Sequence, residues 1–190
     1  MIKPKVKYPL NSLKPLAISL CERLLPFCDR IMIAGSIRRE KALVGDIELL
    51  VIPKMEVKDT SFSLFQEEVN LLEEEIQRLI SVGEFYLRVK SDGTVADGDK
   101  IKLLAISSSH IPVDIFITTP EAWFNLLVCR TGGKLSNEQI AGMAKAKGWQ
   151  WKMSGKGFYN ERKNLWSVVT CEEDVFKFVG LPYLPPQERP

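Results

Sequence analysis

The segment from Ile33 to Val51 limits what this chain can fold into more than any other. It reads as a buried strand, a Gly35-Ser36 turn carrying Arg38 and Arg39, and a second strand opening on Asp46 and Glu48. Successive strand residues point to opposite faces, so Asp46 and Glu48 share one face while Ile47, Leu49 and Val51 share the other. Carboxylates placed side by side repel each other and need a cation. A divalent ion fits, since Mg²⁺ takes oxygen ligands and completes its shell with substrate phosphates. The turn supplies the complementary half. Gly35 admits close backbone approach, Ser36 offers a hydroxyl and an N–H, and Arg39 can grip phosphate oxygens in a fork. The combination describes a metal–triphosphate site. A solvated hairpin edge is the plainer alternative, and it leaves Gly35-Ser36 and the Asp46/Glu48 spacing without a purpose.

A third acid follows from the same alternation. In Ile111–Thr118, Val113, Ile115 and Ile117 share one face, leaving Asp114 on the other with Phe116 and Thr118. A lone acid on an apolar strand is costly unless paired. If this strand lies beside the Asp46 strand, three carboxylates converge. A buried Asp serving only a backbone N–H is the structural alternative.

The rest of the chain sets bounds. With 190 residues, 45% hydrophobic and 26% charged, it suits one domain or two small lobes around an ordinary soluble core. A net charge of +2 is too small to prove a polyanion partner. No apolar run reaches 18 residues and no apolar segment backs the N-terminal lysines, so a cytoplasmic protein outside the membrane is expected. Four cysteines without paired spacing and the single His110 do not compose a zinc site; reduced thiols and a turn histidine are expected. Residues 1–10 read as a loose basic arm. Leu13, Leu16, Leu20 and Leu24 predict a helix that Pro26 ends. Phe62, Phe65, Val69, Leu72, Ile76 and Leu79 predict a second helix from Ser61 to Gly83. Strands are predicted at 30–34, 46–52, 85–90, 100–106 and 111–118. Beyond Pro120 the pattern predicts a helix start broken by Arg130-Thr131-Gly132-Gly133, a helix from Ser136 or Asn137 to Gly148, short strands near 149–153 and 164–169, and a helix over 172–179. Lys134, Lys145, Lys152 and Lys156 lie here among Trp149, Trp151, Phe158 and Tyr159. Cations interleaved with aromatics can grip a nucleic-acid backbone and stack bases. Two of those aromatics are expected to fill the lobe's own core.

The pattern resembles the nucleotidyltransferases of the DNA polymerase beta kind, family X. The resemblance rests on Gly35-Ser36, Arg38-Arg39, Gly45-Asp46-Ile47-Glu48, a later Asp114 and Thr131-Gly132-Gly133…Asn137. It also rests on a tail of Glu172-Glu173-Asp174-Val175-Phe176, Leu181-Pro182-Tyr183 and Pro185-Pro186-Gln187-Glu188-Arg189. It departs in Glu48, where polymerases usually carry Asp; the longer acid reaches about 1.5 Å further. The family's N-terminal lyase and DNA-gripping domain has no room before Gly35, so a minimal core is expected.

What the resemblance implies is an α+β fold. A nucleotidyltransferase palm, a mixed sheet flanked by helices, would span 1–118, and a C-terminal nucleotide- and DNA-binding lobe would span 119–190. It implies transfer of a nucleotide from a (d)NTP to a primer 3′-hydroxyl on primer–template or gapped DNA, of a repair type, by a monomer. Asp46, Glu48 and Asp114 would be the catalytic acids and the ligands of two Mg²⁺ or Mn²⁺ ions. Gly35, Ser36, Arg39, Gly45, Cys129, Arg130, Gly132 and Asn137 would bind nucleotide, and Lys134, Lys145, Lys152 and Lys156 would bind DNA. Cys129-Arg130, where deoxy-selective members place Tyr-Phe, implies weak sugar discrimination. The competing readings are a nucleotidyltransferase acting on a small molecule, protein or RNA end, and an inactive nucleic-acid-binding module.

Overall fold

The computed structural model describes residues 6–59, 66–89 and 93–190. The leucine stripe forms α1 (Leu10–Leu24), preceded by β1 (Tyr8–Pro9), and buries Leu13, Ala17, Leu20 and Leu24. Next come β2 (Cys28–Ile33), a single helical turn α2 (Gly35–Arg38), β3 (Leu43–Val44) and β4 (Ile47–Pro53). Tyr8 and Pro9 pair with Val44 and Leu43, so the expected loose arm is tied down at its end.

The second helix corrects the expectation. A hairpin of β5 (Met55–Asp59) and β6 (Gln66–Asn70) takes up what the spacing assigned to helix, and α3 runs Leu71–Ser81. Asn70 sets the start by accepting a hydrogen bond from the Glu73 N–H at 3.1 Å. Val69 belongs to the strand; Phe62 and Phe65 lie outside the described residues. Leu72, Ile76 and Leu79 do form the buried stripe.

The sheet is completed by β7 (Phe85–Leu87), β8 (Asp97–Gly98), β9 (Ile101–Ile106) and β10 (Pro112–Ile117). Its order is β2-β4-β10-β9-β7, with β8 on β9. Only β4 and β10 run parallel; the other pairs are antiparallel. His110 sits in the turn before β10 with φ of 57° and shares a hydrogen bond with the Tyr86 hydroxyl.

After β10 come α4 (Trp123–Thr131), α5 (Lys134–Ala146), β11 (Gln150–Lys152), β12 (Gly157–Asn160), β13 (Leu165–Val168) and α6 (Glu172–Val179). Helix α5 begins two residues before the expected caps, after Gly133, and places Asn137 inside the helix. Strand β12 was absent from the sequence reading; its aromatics were read as interleaving rather than as a strand.

The two faces of the sheet serve different cores. Leu49, Val51, Val113 and Ile115 pack with α1 and α3 residues. Leu50, Ile52 and Phe116 pack with Trp123, Leu127, Phe158 and Phe176 of the C-terminal region. The boundary expected at 118/119 falls between β10 and α4, and this second cluster crosses it.

Candidate active site

The parallel pairing of β4 with β10 fixes the centre. It sets Glu48 directly beside Asp114, with Ile47 beside Val113 and Leu49 beside Ile115. Asp46 is partly exposed just ahead of β4. Gly35, with φ of +62°, packs against Glu48 so closely that an added Cβ would land on its carboxylate. The invariant need at this turn is therefore space as well as backbone freedom. The Ala34 N–H donates to the Glu48 carbonyl at 2.8 Å and locks the turn onto the acidic strand.

The electrostatics match this crowding. Burial first, then the negative charges of Asp46 and Asp114, push the Glu48 carboxyl up to about 7 against the pull of Arg130 and Arg39. Burial lowers Arg39, Glu48 raises it and Arg189 lowers it further. The acids thus converge in register and in charge. They do not yet form a ligand cage: among the described residues no group of three or more His, Cys, Asp or Glu is set to hold a metal ion. Arg88, just after β7, pairs its guanidinium with Asp114. Its Nε donates to the Leu104 carbonyl at 2.9 Å. Arg88 drew no notice in the sequence, where nothing local links it to a strand two places away.

The two turn arginines divide. Arg38 is partly buried and donates to Thr131 Oγ1 at 2.8 Å and to both oxygens of Glu172. Arg189, with no exposed surface, lies 2.9 Å from Glu172 Oε2 and over the rings of Phe176 and Tyr183. Burial would raise Glu172, but the hydrogen bonds and charges of Arg38 and Arg189 hold it below the usual carboxylate range. Arg39 donates to the Thr131 carbonyl at 2.5 Å.

Across from the acids, Arg130 stacks on Phe116, 3.8 Å from the ring centroid. Gly132 abuts Asn137, where an added Cβ would strike the side-chain amide oxygen. Asn137 Nδ2 donates to the Cys129 carbonyl at 2.8 Å. The Cys129 thiol itself points into the apolar cluster, its sulfur 3.2 Å from that of Met153. The carbonyl makes the shorter contact with Asn137, whose Nδ2 also lies 4.0 Å from the Cys129 sulfur. Three buried polar atoms here have no hydrogen-bond partner among the described residues: Arg39 Nε, Arg130 Nε and Asn137 Oδ1. Two are donors on cations, which suits an anionic ligand. Ser36 is partly exposed in the one-turn helix, and Gly45 is partly exposed beside Asp46.

The four lysines expected to bind DNA lie on two parts of the C-terminal region. Lys134 and Lys145 are exposed at opposite ends of α5, Lys134 near Glu138 at 3.7 Å. Lys152 and Lys156 belong to the β11–β13 sheet. No helix among the described residues is long and apolar enough to cross a membrane.

The mixed sheet thus presents adjacent acids and is faced by a helical lobe that meets it through arginines. Residues 126–190 match the family model described as DNA polymerase beta thumb. A crystal structure of polymerase beta from Leishmania infantum, a ternary P/T complex, is similar with a TM-score of 0.67 and 19% identity, covering 97% of this chain and 77% of that one. No protein of curated function matches the chain by sequence. The C-terminal region thus carries a thumb of the DNA polymerase beta kind, and the chain as a whole takes a fold similar to that of the polymerase beta structure.

Proposed function

We propose that the chain transfers a nucleoside monophosphate from a nucleoside triphosphate to the 3′-hydroxyl of a DNA primer, in gap-filling or other short-patch synthesis. One observation carries this reading: Glu48 and Asp114 lie side by side on parallel strands with Asp46 ahead of them, while Arg39 and Arg130 bear on Glu48.

The donor set suits hard divalent cations, being three carboxylates of which Asp46 and Asp114 add to the raised proton affinity of Glu48. Two ions, Mg²⁺ or Mn²⁺, on Asp46 and Glu48 and on those two with Asp114, would supply charge to the triphosphate and acidify the attacking hydroxyl. Arg39 takes triphosphate oxygens with the nitrogen its fold leaves unpaired, and Ser36 with the Gly35 and Gly45 backbone lines the same path. Arg130 holds positive charge above the acids from the thumb side. Gly132 and Asn137 border the sugar and base, with Asn137 held by the Cys129 carbonyl. Catalysis on this reading is positioning and electrostatics.

Primer extension with and without template, gap and 5′-phosphate tests it. Asp46→Asn, Glu48→Gln and Asp114→Asn are each expected to lower turnover by about 10²-fold or more while leaving the circular-dichroism spectrum unchanged. Near-wild-type turnover in Asp114→Asn removes the third acid, and transfer to a non-DNA acceptor with none to a primer overturns the reading.

A further inference from the structure

The outer face of the β11–β13 sheet carries two aromatic rings that no core needs. Strand pairing sets Tyr159 opposite Trp166, with ring centroids 4.9 Å apart and planes tilted by 39°. Alternation sends Trp151 and Phe158 the other way, where both are buried and Phe158 stacks on Phe178 at 4.0 Å. The inner side is thus filled, and Tyr159 and Trp166 stay partly exposed. Trp166 rests against Gly155, where an added Cβ would come within 3.2 Å of the ring. The Tyr159 hydroxyl donates to Asn164 Oδ1 at 2.8 Å, which holds its ring in place. Each ring has its own cation: Lys152 Nζ lies 5.9 Å from the Tyr159 centroid and Lys156 Nζ 5.4 Å from that of Trp166. Arg162 and Lys163 are exposed in the turn between β12 and β13. Against these stand Glu161 in that turn and Glu121, which reaches Lys156 electrostatically.

We propose that this face is a stacking platform for unpaired bases of a nucleic-acid strand, with the lysines on its phosphates. The inference deepens the function proposed above, from which it takes DNA as partner. Lysines alone would serve any phosphate backbone, duplex or single strand. A pair of presented rings adds something only bases out of a duplex can use, since every free base has a face to stack. The charge balance suits a polyanion, and the restrained rings lose little freedom on binding.

The test is fluorescence anisotropy of the full chain with a labelled oligothymidylate, read without turnover. Trp166→Ala and Tyr159→Ala are each expected to weaken binding about 5- to 100-fold, and Trp166→Phe to retain most of it. Lys156→Ala should lower the slope of log affinity against log salt by about 0.7. A duplex of equal length should bind the Trp166→Ala chain as it binds wild type. Equal oligothymidylate binding by wild type and Trp166→Ala, or an equal loss for duplex, overturns the platform. So does Trp166→Phe binding no better than Trp166→Ala when both melt as wild type. A chain that extends primers yet shows no such loss overturns the platform alone and leaves the polymerase reading standing.

Discussion

Glu48 and Glu172 are both glutamates drawn out of solvent, and the chain treats them in opposite ways. Glu172 lies between Arg38 and Arg189, and its carboxyl is held low. Glu48 has two further acids for neighbours, and its carboxyl is pushed up to about 7. The arginines near Glu48 are engaged elsewhere, Arg39 on the Thr131 carbonyl and Arg130 on Phe116. At the junction with the thumb the protein neutralises its own charge. At the acidic strand it leaves Glu48 crowded by like charge, and on the function proposed above a cationic ligand would complete the neutralisation.

Breaking the closed side should have the largest effect. Glu172→Ala strands Arg38 and Arg189 without their counter-charge and is expected to cost about 3–5 kcal/mol in denaturant unfolding. A loss below about 1 kcal/mol would mean that solvent, rather than Glu172, satisfies those guanidinia.

The open side should show itself through pH. The Glu48 carboxyl rises from an ordinary 4.5 to about 7 on folding, so the folded chain prefers it protonated. That contribution is complete below about 4.5 and fades as pH rises through 7, by about 3 kcal/mol in all. With chelator present, wild type should lose stability between about pH 5 and 8, and Glu48→Gln should lose much less. Glu172 and Asp174 are depressed and act only at lower pH, so they do not blur this window. Adding Mg²⁺ at alkaline pH should restore wild type and leave Glu48→Gln little changed. A flat wild-type profile would dissolve the contrast.

Arg88 sharpens it, being a protein-supplied cation already on Asp114. Arg88→Ala leaves the acids with one positive charge fewer, so the Mg²⁺ midpoint for thermal stabilisation should fall about fivefold, about 1 kcal/mol. An unmoved midpoint would make that pair a strut with no bearing on the acids.

Much of this was legible because it is local. Gly35-Ser36, the alternation of Asp46 with Glu48, and Asp114 isolated on an apolar strand are short patterns, and the pairing of β4 with β10 sets Glu48 beside Asp114. Helix α6 spans the predicted 172–179, opened by three acids. What escaped is non-local. Helix spacing from Ser61 ignored that Met55–Asp59 offers residues 66–70 a strand partner. Arg88 reaches Asp114 across the intervening β9, and Glu172 meets Arg38 from the far end of the chain. Neither pairing has a sequence period to announce it. The orientation of Cys129, its side chain toward the apolar cluster and its carbonyl accepting from Asn137, is likewise set by tertiary packing that no local pattern announces.

The division of the sheet's faces has a consequence for how the molecule comes apart and how it flexes. Strand β4 alternates its allegiance residue by residue, Leu49 and Val51 to one core, Leu50 and Ile52 to the other. Neither half can melt without stripping a wall from its neighbour, so the described body unfolds as one cooperative unit. The same wall limits the thumb in the native state. It cannot lift off Leu50 and Phe116 at less than the cost of baring an apolar sheet.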